Sequence, residues 1–161
     1  MAISNLSRGS TFLLLFTLFV AGCSDRPLSP EEQLRNLLSE AESYLEARDL
    51  SSAMEFVDPA YEDRSGRDFR ALKAMLLGYF MRHKSIHIIS KIDQIDLRTE
   101  NESEVVLFAG LAGSPQEAEM APAQWRGDLL RLQLLFKRGD GDDWRLRMAE
   151  WRRATPQDFA F

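Results

Sequence analysis

Carboxylate and tyrosine side chains give this sequence its candidates for acid–base chemistry. A carboxyl group buried among apolar side chains has a raised pKa and can act as a general acid or base. A tyrosine beside it can donate a hydrogen bond to a developing negative charge. The candidate catalytic residues are Tyr61, Asp63, Tyr79 and Glu150, and we expect no cofactor to assist them.

Glu150 has two alternative placements on the last strand of the chain. Continuing the apolar alternation that begins at Trp144 puts it among apolar side chains, where an acid–base role is open to it. A bulge near Ala149 would instead turn Trp151 inward and Glu150 outward to water. We favour the second placement, because most carboxylates are solvated.

The histidines and the cysteine give no metal site. His83 and His87 are four residues apart, but they straddle a change from helical to strand periodicity and have no Cys or Glu at ligand spacing. We therefore predict structural roles for both. The chain has a single cysteine, Cys23, which excludes an internal disulfide framework and a cysteine-based zinc site.

The first 22 residues have the composition of a secretory signal. One charged side chain, Arg8, precedes an apolar run over 11–20, and the small residues Ala21 and Gly22 follow it. The run has about half of the ~20 apolar residues that a transmembrane helix needs. We predict a signal peptide over 1–22.

Val20-Ala21-Gly22-Cys23 resembles the lipobox of bacterial prolipoproteins. The resemblance implies cleavage before Cys23, attachment of diacylglycerol to its sulfur and acylation of the new amino group. With Ser24 rather than Asp next, it also implies the outer membrane of a Gram-negative bacterium, facing the periplasm. Residues 23–29 would then be a lipidated tether. The alternative is a soluble secreted protein with a free thiol.

Three helices are predicted in the first half of the remaining chain. Ser29 and Glu32 form a capping box around Pro30, and an apolar repeat follows at helical spacing. A shorter helix ends after Val57, where an Asp-Pro pair stops it. A third helix covers about 68–83.

The apolar period changes from 3.6 to 2 after the third helix, which predicts four strands. The apolar residues shift parity between Ile92 and Ile95, and this shift predicts a bulge in the first strand. Residues 105–111 are apolar on both parities, as in a central covered strand. Residues 130–136 alternate cleanly, and a Gly-Asp turn separates them from the last strand.

A long connection over 113–127 contains Met120 and Trp125. Connections of this length often act as lids or binding loops, and an exposed Trp125 would anchor a ligand or partner together with Met120 and Trp151. The alternative is an ordinary hairpin excursion whose tryptophan packs back on the sheet.

This order of elements is similar to the nuclear transport factor 2-like superfamily, which includes SnoaL-like proteins and ketosteroid isomerase. The resemblance covers about 30–154 and implies an α+β fold, in which three helices pack on a curved, bulged, four-stranded antiparallel sheet, a cystatin-like cone. Residues 155–161 would be a C-terminal tail. Relatives often dimerise through the open sheet face, which implies a possible homodimer.

The 161-residue chain fits one such domain, and its net charge of −5 and pI near 5.1 argue against a nucleic-acid partner. We expect a noncatalytic binding domain, tethered to the membrane, for a small apolar or lipid-like ligand. The alternatives are an isomerase- or hydrolase-like enzyme that uses a pocket carboxylate with a tyrosine, and an accessory subunit of an envelope protein complex.

Overall fold

The computed structural model describes residues 26–112, 128–139 and 143–159. The predicted signal peptide with Cys23, and Met120 and Trp125 of the long connection, lie outside these residues. No helix in the described parts of the chain is long and apolar enough to cross a membrane.

Helices precede strands, as the sequence predicts. The elements are α1 (Pro30–Glu46), α2 (Leu50–Glu55), α3 (Phe69–Arg82), β1 (His87–Thr99), β2 (Glu102–Ala112), β3 (Asp128–Arg138) and β4 (Trp144–Arg153). A 3-10 helix, Pro156–Phe159, occupies part of the predicted tail.

Side-chain caps fix where the helices begin. The Ser29 hydroxyl accepts a hydrogen bond from the Glu32 N–H, and the Glu32 carboxylate accepts one from the Ser29 N–H, which completes the predicted capping box. Asp49 and Asp68 cap α2 and α3 by accepting hydrogen bonds from the N–H groups of Ser52 and Ala71. The second helix is shorter than predicted, because Val57 leaves it to form a parallel bridge with Leu146.

The four strands form one antiparallel sheet in the order β1-β2-β3-β4. In β1 the register moves from the Ile92–Leu107 pair to the Gln94–Val106 pair, so Asp93 is the extra residue and the predicted bulge is confirmed. Two further register shifts leave Arg98 as an extra residue near the end of β1 and Arg147 as an extra residue in β4. β2 is central and largely buried, also as predicted.

The three helices cover one face of this sheet, and the core lies between the two layers. Along the edge, the Glu46 carboxylate accepts a hydrogen bond from the Ile88 N–H, and the Glu42 carboxylate accepts one from the Ser90 hydroxyl, so that α1 follows β1. The buried core residues are Leu34, Met54, Val57, Tyr61, Leu72, Val105, Leu107, Ala109, Leu134, Phe136, Trp144 and Ala149.

Two polar junctions connect the ends of the helices to the rest of the fold. At the start of α1, the Gln33 amide oxygen accepts hydrogen bonds from Arg138 (2.8 Å) and the Trp144 indole (3.1 Å), while its nitrogen donates to the Leu28 carbonyl. After α1, the Arg48 guanidinium donates to the carbonyl oxygens of Phe80 (2.7 Å) and Lys84 (3.3 Å). These bonds satisfy carbonyls at the C-terminal end of α3.

Candidate functional site

The connection between α2 and α3 runs along the bulged part of β4. Leu146 donates its N–H to the Phe56 carbonyl and accepts from the Asp58 N–H, at 2.7 and 3.0 Å. The Glu62 N–H donates to the carbonyl of Arg147, the bulged residue. This pairing places Tyr61 and Asp63, two of the predicted site residues, beside the middle of β4.

Tyr61 is the most deeply buried polar aromatic residue of the described core. Its exposed fraction is 2%, and its hydroxyl forms no hydrogen bond of ordinary geometry with the described residues, although the Ala149 backbone lies near enough to lower its pKa slightly. Burial, and to a smaller extent the nearby Asp63 carboxylate, raise the pKa of Tyr61 to about 12. The phenol is therefore neutral at physiological pH and keeps a proton that it can donate.

The Asp63 carboxylate is fixed in place by hydrogen bonds within its own loop. Its Oδ1 accepts hydrogen bonds from the Ser65 and Arg67 N–H groups at 2.8 and 3.0 Å, and its Oδ2 accepts one from Arg67 Nε at 2.6 Å. Burial acts to raise the pKa of Asp63, but these donors outweigh it and lower the pKa below its ordinary value. The loop can close this tightly because Gly66 adopts a φ of +74°.

The Arg67 guanidinium connects this loop to the sheet. It lies over the Trp151 ring, 4.5 Å from the ring centroid. Trp151 in turn packs against the buried core that contains Tyr61. Tyr61, Asp63, Arg67 and Trp151 thus form one cluster, which we call the Tyr61 cluster.

Glu150 lies on the other face of the sheet from this core. It pairs with Gln133, whereas its neighbour Ala149 pairs with Leu134 in the buried layer. Its carboxylate is half-exposed and forms an ion pair with Arg64 at 3.0 Å. Glu150 faces away from the core because of the bulge at Arg147. From the sequence, this bulge was expected near Ala149, two residues further along the chain.

Tyr79 is separate from the Tyr61 cluster. It lies eleven residues after the Asp68 N-cap, or about 16 Å along α3 at ~1.5 Å per residue. Its ring stacks on that of His83 with a centroid distance of 4.1 Å, and the Tyr79 carbonyl lies 2.9 Å from His83 Nδ1. Burial and the Asp128 carboxylate raise the pKa of Tyr79.

The two histidines lie at the ends of secondary-structure elements. His83 is the C-cap of α3, and His87 is the exposed first residue of β1. Within residues 26–112, 128–139 and 143–159, no group of three His, Cys, Asp or Glu side chains is arranged to hold a metal ion.

Sequence reasoning missed the arginines that complete the site. Arg64 and Arg67 bind the two candidate carboxylates, Glu150 and Asp63 respectively. A signal for the Asp63–Arg67 pair was present, because an Asp followed two and three residues later by Ser and Gly is typical of a turn closed by the Asp side chain. The first pair joins residues that are 86 positions apart, a contact that local patterns do not encode.

Comparison with known proteins identifies the fold. No protein-family model and no functionally curated protein matches the sequence. A domain of unknown function from Nostoc punctiforme, described as having a cystatin-like fold, matches with a TM-score of 0.61 and 12% identity over 80% of this chain and 81% of its own. An NTF-2 like protein of Shewanella oneidensis matches with a TM-score of 0.56 and 16% identity over 76% and 98% of the two chains.

Two further structures share the fold. A ketosteroid isomerase-like protein of Erwinia carotovora matches with a TM-score of 0.57 and 8% identity, over 80% of this chain and all of its own. Bd1075 of Bdellovibrio bacteriovorus matches with a TM-score of 0.60 and 10% identity over 76% of this chain, which spans 40% of the length of that protein. At such identities the likeness concerns the fold alone. The chain has the cystatin-like, NTF2-like α+β cone fold, as the sequence predicts.

Proposed function

We propose that this domain is a noncatalytic binding domain for a small, largely apolar molecule that carries a hydrogen-bond acceptor such as a carbonyl group. The observation that carries the proposal is the Tyr61 hydroxyl, which is buried in the core and forms no hydrogen bond of ordinary geometry among the described residues, although the Ala149 backbone lies close to it. A buried, unsatisfied hydroxyl costs about 1–3 kcal/mol. A ligand oxygen that accepts a hydrogen bond from this hydroxyl would recover part of that free energy.

The surroundings of Tyr61 favour an apolar ligand. The buried side chains packed with it are aliphatic and aromatic, including Leu34, Leu134 and Phe136. A ligand that reached Tyr61 would therefore meet mostly apolar side chains and this one polar group to orient it. Trp151, at the edge of this core, is the further residue that we propose as a ligand contact.

The carboxylates of the described site argue for binding rather than acid–base catalysis. A general base works best with a pKa near the operating pH, whereas the donors around Asp63 lower its pKa. Glu150 is paired with Arg64 on the opposite face of the sheet. Glu150 is therefore turned away from a ligand that contacts Tyr61, and Asp63 would be a weak base toward it.

Native mass spectrometry of the chain from Ser24 onward tests the proposal. We expect a co-purifying organic molecule, and we expect binding of that molecule to weaken about fivefold in Tyr61→Phe, which removes one hydrogen bond of about 1 kcal/mol. The matched control is Tyr79→Phe, which removes a hydroxyl outside the Tyr61 cluster. A folded protein with no adduct, or equal affinity in the wild type and Tyr61→Phe, would contradict the proposal.

An isomerase- or hydrolase-like enzyme is the second candidate, favoured by the neutral phenol of Tyr61. A buried tyrosine can stabilise a developing enolate by donating a hydrogen bond, and Asp63 is the nearest candidate for moving the proton. Turnover of an unsaturated ketone that Tyr61→Phe and Asp63→Asn both abolish, without loss of folding, would support this candidate over binding alone.

We also propose that Cys23 is lipidated and anchors the protein in the outer membrane. The support is the lipobox resemblance and the single cysteine, because both lie directly after an apolar run. Two or three acyl chains, at ~0.8 kcal/mol for each buried methylene, would give lasting attachment. Cys23→Ser should leave the protein unprocessed or release it from membranes, and unchanged mass and membrane retention would contradict lipidation.

The outer face of the sheet is where we propose contact with a protein partner or a second copy of the chain. Glu104 on this face forms an ion pair with Arg98 and accepts a hydrogen bond from Gln133. Such a polar network suits a reversible, wet interface. Analytical ultracentrifugation should show a dimer that Glu104→Lys weakens, and a monomer at all concentrations would exclude the homodimer.

A further inference from the structure

Helix α3 presents an exposed stripe that combines cationic and long apolar side chains. At 100° per residue, Arg70, Lys73, Ala74, Leu77 and Met81 fall on one face of the helix. All five are exposed, and Leu77 and Met81 have exposed fractions of 48% and 78%. Buried Leu72 lies on the opposite side of the helix, and buried Phe80 lies at the edge of the stripe beside Lys73. We call the exposed face the α3 stripe.

The charge around this stripe is opposite to that of the whole chain. The chain has a net charge of −5, yet residues 69–92 contain five cationic residues and no Asp or Glu. Four of these cations, namely Arg70, Lys73, Arg82 and Lys84, lie on α3 or directly after it. The stripe itself carries the cations Arg70 and Lys73, and the Asp68 carboxylate lies at the N-cap of the same helix. Its own net charge is thus positive on an acidic protein.

We propose that the α3 stripe docks on the surface of an anionic lipid bilayer, with Leu77 and Met81 inserted between headgroups. A basic helix with apolar side chains on the same exposed face is typical of interfacial membrane binding. Each Lys or Arg near an anionic surface contributes about 1 kcal/mol. The contact is independent of Cys23 and of the Tyr61 hydroxyl, so it goes beyond the proposed function.

A bilayer fits the stripe better than a protein partner does. A stable protein interface buries about 800 Å² on each side, whereas the stripe offers two large apolar side chains. Shallow insertion into headgroups needs no shape complementarity, and cations beside the apolar residues match the phosphate layer.

A lipid-depth measurement on the full chain tests the proposal. In a Cys23→Ser background, Met81→Cys supplies the only thiol for an environment-sensitive fluorophore. The chain is reconstituted in phosphatidylcholine vesicles with or without phosphatidylglycerol. We expect a blue shift and quenching by nitroxide-labelled lipid in the anionic vesicles. In neutral vesicles, and at high salt, we expect neither, because both remove the electrostatic attraction.

Charge variants and a second probe position make the result specific. Replacing Arg70 and Lys73 together with Gln should reduce docking about 30-fold, at about fivefold for each cation. The matched control replaces Arg145 and Arg152, exposed arginines on β4, and should change nothing. A Leu97→Cys probe, at the far end of β1, should stay in water.

The proposal is overturned by any of three results. The probe at position 81 could remain in water in anionic vesicles, its quenching could be equal in both lipids, or the probe at position 97 could be the one that is quenched. The last result would mean that the opposite end of the domain faces the bilayer. Loss of ligand binding in Tyr61→Phe would not affect any of these readouts.

Discussion

At the scale of single residues, the number of donors around a carboxylate decides what it can do. Asp63 accepts three hydrogen bonds from Ser65 and Arg67, whereas the half-exposed Glu150 has one exposed partner, Arg64. Charge-assisted hydrogen bonds to a buried group are strong, while exposed ion pairs contribute little to stability. The two carboxylates should therefore respond very differently to neutralisation.

Asp63→Asn should lower the free energy of unfolding by about 1–2 kcal/mol, because the Arg67 guanidinium loses its anionic partner and one buried acceptor becomes an amide. Urea denaturation monitored by circular dichroism measures the change. Glu150→Gln is the control and should stay within about 0.5 kcal/mol of the wild type. Equal effects of the two substitutions would show that burial and donor number do not distinguish these sites.

The dependence of the free energy of unfolding on pH should also show the contribution of the Asp63 carboxylate. The pKa of Asp63 in the folded protein is below the ordinary value of about 3.9 that it has in the unfolded chain. As the pH falls, the unfolded chain therefore takes up this proton before the folded protein does. Its stabilising contribution is complete above about pH 5 and is lost as the pH falls through the folded pKa. Asp63→Asn should flatten this acid limb of the stability curve, and an unchanged limb would contradict the assignment.

Tyr61→Phe should leave the stability of the ligand-free protein unchanged or slightly higher. The substitution removes a hydroxyl that has no partner among the described residues and keeps the ring in the core. Thermal unfolding of delipidated protein measures this. A loss of more than about 1 kcal/mol would mean that the hydroxyl has a stabilising partner inside the protein.

At the scale of elements, α1 and α3 could be predicted from caps and apolar spacing, because those signals are local. The bulge in β1 could also be predicted from a local signal, namely the parity shift of the apolar residues between Ile92 and Ile95. The bulge in β4 was harder to locate, because its position depends on the pairing of Leu146 with Phe56 and Asp58 in another part of the chain. The same non-local pairing decides that Glu150 faces away from the helices.

The turn after α1 offers a prediction at this scale. Arg48 has a φ of 58° and donates to two carbonyls at the end of α3. Arg48→Ala should destabilise the fold by about 1–2 kcal/mol, because it loses those bonds and keeps the left-handed backbone. Arg48→Gly loses the same bonds but relaxes the backbone, so it should recover about 1 kcal/mol in chemical denaturation. Equal losses would show that backbone strain has no part in the effect.

At the scale of the whole molecule, the fold class was accessible from the sequence and the site was accessible only in part. The order of helices and strands follows from local periods, which is enough to specify the cone. The Tyr61 cluster brings together the α2–α3 connection and Trp151, more than 80 positions further along the chain. Their contact exists only once the sheet has curved over the helices.

Gln33 provides a prediction at the molecular scale, since it joins the chain entry to the β3–β4 hairpin. Gln33→Ala removes three hydrogen bonds and should lower the free energy of unfolding by about 1–2 kcal/mol. Gln94→Ala, on the exposed surface of β1, should change it by less than about 0.5 kcal/mol. Similar values for the two variants, in urea titrations, would mean that the junction adds nothing to the fold.

The Gln33 junction also determines how a mechanical force would enter the domain. A force applied at the N-terminus acts on Leu28, whose carbonyl is hydrogen-bonded to Gln33. The hydrogen bonds of Gln33 with Arg138 and Trp144 transmit this force to the β3–β4 hairpin. The load is then shared with the hydrogen-bond ladders of the sheet instead of unwinding the first turn of α1. A domain with this junction should resist being peeled open when it is pulled from its N-terminus.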